Sequence, residues 1–309
     1  MKLATTIAGT WRNYYKTDQE RIRRVAKTNF RYIDYDFWHL NEQSPLMQKD
    51  WQREIESIKS VLSETGIRAI QAHSPGGNPL IEAEAEPLFN RTVRAIECCA
   101  LLDIPQIVIH PGAYDGISKQ DFFDKNKAFY EKFFPIIEKT GVNVLIENIG
   151  TWQDPYYIHD GHKLRELIEY VNHPLVHACW DTGHGNIADA DQYDSILALG
   201  HHLKGLHIHD NMGGFDVKHK PSRQDMHGMP FTGGVNFDAV IQGLLDINYQ
   251  GYFTYEVYEI RAINRKNFIY KGEKVNKLLL APADIDHKVR VLLYDMGKYM
   301  LEQYNCFEE

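Results

Sequence analysis

Six short apolar runs in this sequence each end at an imidazole or a carboxylate, the side chains that hold metal ions and transfer protons. The chain has 15 histidines among its 309 residues. The residues at or near the ends of these runs are His73, His110, Glu147, Asp181, His207 and Glu256. Burying an unpaired carboxylate behind an apolar run would be costly, and a divalent cation removes that cost. We therefore expect the six side chains to meet around a metal.

A ring of parallel strands would bring the ends of these runs together. Eight apolar runs, rich in Val, Ile, Phe or Tyr, predict buried parallel strands. They cover residues 3–8, 30–35, 67–73, 106–110, 143–147, 176–181, 204–209 and 252–256. Amphipathic stretches between them predict helices. These stretches cover residues 51–64, 84–102, 121–139, 162–171, 192–199, 237–245 and 286–302.

The alternation of strands and helices predicts the α/β class and a (β/α)8 TIM barrel that fills residues 1–309 as a single domain. An open doubly wound sheet is the rival arrangement, but its typical Gly-x-Gly-x-x-Gly turn does not follow the first run. Long segments follow the seventh and eighth runs, over residues 210–234 and 257–284. Long loops at the carboxyl end of barrel strands usually belong to the active site.

Composition excludes several classes of protein. The chain has 34 basic and 42 acidic residues, a net charge of −8, which argues against a protein that coats nucleic acid. No apolar run approaches the roughly 20 residues of a membrane span, and the first residues lack a signal-peptide core. The cysteines at 98, 99, 179 and 306 match neither a disulfide framework nor a zinc motif. We expect a cytoplasmic protein that does not bind membranes or nucleic acid.

The loop after the eighth run is more basic than the rest of the chain. Six basic residues outnumber the acidic residues Glu259 and Glu273 there. The basic residues are Arg261, Arg265, Lys266, Lys271, Lys274 and Lys277. The loop is either a solvated surface or a lid that contacts a phosphate, a carboxylate or a partner subunit. A homo-oligomer is therefore left open.

Several motifs at the strand ends give the chain a family resemblance. They are Val108-Ile109-His110-Pro111-Gly112, Ile146-Glu147-Asn148, Asp181-Thr182-Gly183-His184 and the segments 205–210 and 222–227. The chain resembles the xylose-isomerase-like barrels, which include sugar phosphate isomerases/epimerases and metal-dependent apurinic-site endonucleases. In the epimerases the matching ligands of one metal ion are Glu147, Asp181, His207 and Glu256. The two glutamates also transfer protons there, and the residue matching His184 contacts substrate.

The resemblance to the endonucleases implies a larger ligand set. Nine ligands hold three zinc ions in those enzymes, and all nine residue types are present here. The matching residues are His73, His110, Glu147, Asp181, His184, His207, Asp225, His227 and Glu256. The rim segments 11–15 and 36–40 are aromatic rather than basic, which argues against an endonuclease, because a DNA-binding rim is basic. Gly213 and Gly214 stand where several epimerases carry an arginine, which argues against a simple ketose epimerase.

Taken together, the residues and the resemblance predict a divalent-metal-dependent isomerase or epimerase. Its substrate is expected to be a sugar, a sugar phosphate or a related carbohydrate, and its metal Mn²⁺, Zn²⁺, Co²⁺ or Mg²⁺. Glu147 and Glu256 are the expected acid/base pair of an enediolate mechanism. The expected substrate-binding residues are His73, His110, His184, Trp38 and Asn148. Two alternatives stay open, a lyase or deglycosidase acting on an oxidised sugar and a multi-zinc phosphodiesterase.

Overall fold

Eight parallel strands form a closed ring in the computed structural model, which describes residues 1–8, 14–149, 157–213, 225–258, 268–275, 277–278 and 281–309. The strands are β1 (Lys2–Thr6), β2 (Tyr32–Asp36), β3 (Arg68–His73), β4 (Gln106–Ile109), β5 (Asn143–Glu147), β6 (Val176–Asp181), β7 (Leu203–His207) and β8 (Tyr252–Tyr255). From β1 to β7 each strand pairs in parallel with the next strand along the chain, and β1 pairs with β8. The amide of Ile208 donates to the carbonyl of Thr254 at 2.8 Å, which joins β7 to β8. The predicted TIM barrel is thereby confirmed.

Helices in the described part of the chain surround this ring. They are α1 (Asp18–Val25), α2 (Trp51–Thr65), α3 (Glu82–Leu101), α4 (Lys119–Glu131), α5 (Phe134–Thr140), α6 (Gly161–Val171), α7 (Thr182–Ile187), α8 (Gln192–Leu199), α9 (Phe237–Asp246) and α10 (Ala283–Gln303). Thr17 and Glu20 form a capping box at the start of α1, and Asp160 caps α6. Gly66 and Gly141 end α2 and α5 in the left-handed conformation.

The structure corrects the prediction of one helix over residues 121–139. Helix α4 ends at Glu131, and α5 begins at Phe134. Pro135 lies in the first turn of α5, where its missing N–H is tolerated, but it could not extend the hydrogen-bond ladder of α4. Helices α1 and α7 were not predicted, because α1 is mostly charged and α7 contains two glycines within six residues.

The longest connections follow β7 and β8, as predicted. The second contains an exposed hairpin of β9 (Phe268–Tyr270) and β10 (Glu273–Val275). Some of the positions named from the sequence lie outside the described residues. They are residues 11–13, Gly214, residues 222–224, Glu259, Arg261, Arg265 and Lys266.

The interior of the ring combines apolar and polar side chains. Val108, Leu145 and Cys179 form a small buried apolar cluster. Asp34 and Gln71 are buried as well, although bulky branched residues dominate most TIM-barrel interiors. Buried polar groups need hydrogen-bond partners. Gln71 donates to Asp34, and Asp34 contacts His207 of the candidate site. Among the described residues, no helix combines the length and the apolar character needed to cross a membrane.

His177 in β6 gives the fold a predicted sensitivity to acid. Burial, followed by the nearby charges of Lys204 and His202, lowers the pKa of this imidazole to about 4. As the pH drops, the imidazole takes up a proton at about pH 6.5 in the unfolded chain but only at about pH 4 in the folded chain. The free energy of unfolding therefore decreases as the pH drops from about 6.5 to about 4. We expect wild type to lose stability relative to His177→Gln as the pH drops through this window. Urea denaturation at a series of pH values measures the difference, and a constant difference would contradict the prediction.

Candidate metal centre

Four of the predicted ligands meet at the carboxyl end of the barrel. Glu147, Asp181 and His207 are the last residues of β5, β6 and β7, and Glu256 follows β8 directly. One ligand atom from each lies within 4.8 Å of the others, and all four side chains are buried. His207 Nδ1 is 3.2 Å from Glu147 Oε1 and 3.5 Å from Glu256 Oε2. We call these four residues the central group.

The central group fits a divalent cation. Glu147 Oε1 and His207 Nδ1 are both buried and have no hydrogen-bond partner within the described structure. Leaving such an atom unsatisfied costs about 1–3 kcal/mol, and more when the group is charged. One imidazole nitrogen and three carboxylates suit Mn²⁺, Co²⁺ or Zn²⁺. A cation among these atoms would satisfy both orphaned positions.

A second set of donors adjoins the central group through Glu147. His73 Nε2 lies 3.2 Å from His110 Nε2, and His110 Nε2 lies 2.8 Å from Glu147 Oε2. The ring of His73 is held from its other side, because its Nδ1–H donates to the carbonyl of Ser74 at 3.0 Å. Its Nε2 lone pair therefore points toward His110 and Glu147. His73, His110 and Glu147 form the first flanking group.

A third set of donors lies beside the central group and includes the loop after β7. Asp225 lies 3.2 Å from His227 Nε2 and 3.7 Å from His184 Nε2. Both imidazoles donate Nδ1–H to backbone carbonyls, His184 to Asn148 at 3.0 Å and His227 to Glu256 at 2.9 Å. Each ring thus presents Nε2 to Asp225, as metal-binding histidines do when a partner fixes the other nitrogen. His184, Asp225 and His227 form the second flanking group.

Opposite charges stabilise one another across these groups. Burial alone would raise the pKa of Glu147, but the charges of His207 and His110 hold it well below its usual value. Burial would lower the pKa of His227, but Asp225 and Glu256 raise it to about 9. Imidazolium charges therefore balance the buried carboxylates within the protein. A divalent cation would compete with those protons, so its binding would release them.

Trp38 forms a wall beside the first flanking group. Its side chain is 41% exposed, and its ring meets those of His73 and His110 edge to face at 5.1 and 5.5 Å. Gly76 permits this position, because a Cβ there would lie 2.6 Å from the indole. Part of the ring is therefore exposed beside these two histidines, and its contact with a sugar ring stays a prediction.

Asn148, a predicted substrate-binding residue, lies beside the last residue of β6. Its side chain is fully buried, and both of its polar atoms bind the backbone of Asp181. The Nδ2 amide donates to the Asp181 carbonyl at 2.9 Å, and Oδ1 accepts from the Asp181 amide at 2.6 Å. Asn148 therefore positions Asp181. His73, His110 and His184 border the centre and could contact either a metal or a substrate.

Sequence reasoning missed three residues that contact the predicted ligands. Asp34 Oδ2 lies 3.0 Å from His207 Nε2, and His209 Nε2 lies 3.0 Å from Asp181. The hydroxyl of Tyr258 donates to Glu256 Oε1 at 3.2 Å. His209 was detectable as the second histidine of the Leu-His-Ile-His segment.

The fold and the site together define a class of α/β protein, a TIM barrel with imidazoles and carboxylates clustered at the carboxyl end of its strands. Within this class, the family model for xylose isomerase-like TIM barrels matches residues 22–273. The chain belongs to this family, and the resemblance seen in the motifs is confirmed.

Relatives in this family are epimerases, isomerases and endonucleases. A ketose 3-epimerase of Arthrobacter globiformis is 22% identical, covering 82% of each chain. A probable endonuclease 4 of Citrifermentans bemidjiense is 33% identical over 39% of this chain and 46% of its own length. The crystal structure of a D-tagatose 3-epimerase-like protein superposes with a TM-score of 0.72 at 20% identity, covering 99% of this chain and 98% of the other. At that identity the structural match shows the fold.

Proposed function

We propose that this protein is a divalent-metal-dependent isomerase or epimerase acting on a sugar, a sugar phosphate or a related carbohydrate. The observation that carries the proposal is the central group, in which Glu147, Asp181, His207 and Glu256 converge within 4.8 Å. The ketose 3-epimerase relative supports it, because that similarity extends over 82% of the chain. All four cysteines are free, which supports a reducing, cytoplasmic location.

Glu147 and Glu256 are the proposed acid/base pair. They approach from β5 and from the end of β8, and both face Nδ1 of His207. A substrate carbon held between them would lose a proton to one carboxylate, giving an enediolate, and regain a proton from the other. A divalent cation held by the central group would polarise the substrate carbonyl and stabilise this negative charge. Proton transfer by a placed side chain contributes roughly 10²–10⁴-fold to the rate.

The two flanking groups favour a second candidate function, the hydrolysis of a phosphodiester. They supply five donors beyond the central group, and they share Glu147 with it or lie directly beside it. The five are His73, His110, His184, Asp225 and His227. Several neighbouring cations can activate water and stabilise both the attacking and the leaving oxygen of a phosphoryl group. This function would use Glu147 as a shared ligand rather than as a base.

Metal counting separates the two functions. Protein purified without chelator would be analysed by inductively coupled plasma mass spectrometry, next to a His227→Gln variant. One cation per chain, unchanged in the variant, supports the isomerase. Three per chain, with one lost in the variant, support the phosphodiesterase and argue against the proposed isomerase.

We expect no tight binding to duplex DNA that contains an abasic site. The net charge of the chain is −8, and charge neutralisation of phosphates supplies most of the affinity for duplexes. The dissociation constant at physiological salt should be larger than about 10⁻⁶ M. Fluorescence anisotropy with a labelled duplex measures it. Tight binding with strand cleavage would overturn this prediction and favour the phosphodiesterase.

A further inference from the structure

We propose that Asp34 is a positioning residue that fixes the tautomer of His207 and strengthens its nitrogen as a metal ligand. This inference rests on the proposed function, since it takes the central group to bind a divalent cation. It adds a residue from β2, a strand that supplies none of the predicted ligands.

The contact between the two residues is short and fully buried. Asp34 Oδ2 lies 3.0 Å from His207 Nε2, and the two residues are 1% and 0% exposed. An ionised carboxylate can only accept a hydrogen bond, so Nε2 of His207 carries the proton. When the ring releases its second proton to bind a cation, the lone pair is then on Nδ1, the atom that faces Glu147 Oε1 at 3.2 Å and Glu256 Oε2 at 3.5 Å.

His207 is oriented differently from three other histidines of the site. His73, His184 and His227 each donate Nδ1–H to a backbone carbonyl and present Nε2 to the centre. His207 presents Nδ1, and its anchor is a carboxylate. A charged acceptor makes a stronger hydrogen bond than a carbonyl does, and it raises the basicity of the ligating nitrogen. Asp34 would therefore affect metal affinity, beyond holding the ring in place.

A polar contact chain through the barrel interior holds Asp34 in position. Gln71 Nε2 donates to Asp34 Oδ2 at 3.3 Å, and Gln106 Nε2 donates to Gln71 Oε1 at 3.3 Å. Gly205 leaves room for this arrangement, because a Cβ there would lie 2.5 Å from Gln71 Oε1. Buried polar side chains are costly in a barrel interior that apolar residues could fill. Their presence is explained if they orient a ligand.

The test compares Mn²⁺ affinity with the stability of the chelator-treated protein. Asp34→Asn keeps the shape of the side chain and an acceptor oxygen but removes the charge. We expect its Mn²⁺ dissociation constant, measured by competition with a chromophoric chelator, to rise by about 10–100-fold. We expect its Tm in EDTA to stay near that of wild type.

A buried aspartate away from the site serves as the matched control. Asp286 lies in α10, where its carboxylate is 3.8 Å from Arg290 Nε and 3% of the residue is exposed. Asp286→Asn should lower the Tm in EDTA and leave the Mn²⁺ dissociation constant unchanged. Gln71→Met should weaken Mn²⁺ binding less than Asp34→Asn does, because it acts on His207 only through Asp34.

The tautomer gives an independent readout. In Zn²⁺-loaded protein with ¹⁵N-labelled histidine, two-bond ¹H–¹⁵N correlations should show the proton of His207 on Nε2, assigned by its loss in His207→Gln. A proton on Nδ1 would overturn the inference, as would an Asp34→Asn variant with unchanged Mn²⁺ affinity and a lowered Tm in EDTA. A wild-type protein that binds neither Mn²⁺ nor Zn²⁺ would instead overturn the proposed function, and this inference with it.

Discussion

Replacing Asp181 by alanine is expected to abolish binding of a divalent cation at the central group. The residue is fully buried at the end of β6, and it supplies one of the three carboxylates of the group. Loss of a residue that only supports a ligand typically costs 10–100-fold in affinity, so loss of a ligand should cost more than about 100-fold. Isothermal titration with Mn²⁺ and metal analysis of the purified protein measure the effect.

The controls for this experiment follow from a second role of Asp181. Its Oδ1 accepts the amide of His184 at 2.6 Å and caps α7, so alanine also removes a helix cap worth about 1 kcal/mol. Asp191 caps α8 in the same way, and Asp191→Ala should lose similar stability but keep full metal occupancy. Asp181→Asn retains an acceptor for the cap and should still lose the metal. Full occupancy and activity in Asp181→Ala would show that the ligand assignment is wrong.

The barrel could be predicted because each buried parallel strand is a nearly continuous apolar run. The predicted runs at 143–147 and 176–181 coincide with β5 and β6. In both, the apolar run stops at a carboxylate, Glu147 or Asp181, and the strand stops there as well. A parallel ring carries every such end to the same rim. The convergence of the central group was therefore predictable from the positions of its members.

The role of Asp34 could not be predicted in the same way. In the sequence Tyr-Ile-Asp-Tyr-Asp of β2, charged residues alternate with aromatic and aliphatic ones, a pattern typical of a half-exposed strand. The partner that explains its burial, His207, is 173 positions further along the chain. A contact between residues so far apart in the chain forms only when the ring closes. The local sequence pattern of either strand does not predict it.

The position of the second flanking group depends on loop geometry that periodicity does not encode. His227 has a φ of 45°, in the left-handed region that residues other than glycine rarely adopt. The backbone around it is held from two sides, since the amide of Tyr258 donates to the His227 carbonyl at 3.0 Å and Gly228 pairs with Asp210. The family resemblance identified Asp225 and His227 as candidates, but only the fold brings them beside His184.

Glu147→Gln and Glu256→Gln are each expected to stop turnover of the carbohydrate substrate of the proposed function, while largely keeping the fold. Glutamine preserves the shape and one ligating oxygen but cannot take up a proton. Each loss should reach about 10²–10⁴-fold in kcat. The double variant should lose little more, because both groups serve one proton-transfer cycle. Glu166→Gln, an exposed change on α6 that breaks an ion pair with Lys119, should keep full activity.

Isotope incorporation decides which chemistry these carboxylates perform. If they shuttle a proton through an enediolate, wild type in D₂O should place deuterium on the carbon next to the carbonyl, and both variants should slow that exchange together with turnover. Hydrolysis of a phosphodiester would incorporate no deuterium on carbon in D₂O. In ¹⁸O-labelled water it would place ¹⁸O in the phosphate monoester that it forms. Deuterium uptake with release of a substrate fragment would identify a lyase. Because the enediolate mechanism alone couples deuterium uptake to an intact product, solvent oxygen without deuterium would overturn the proposed role of Glu147 and Glu256.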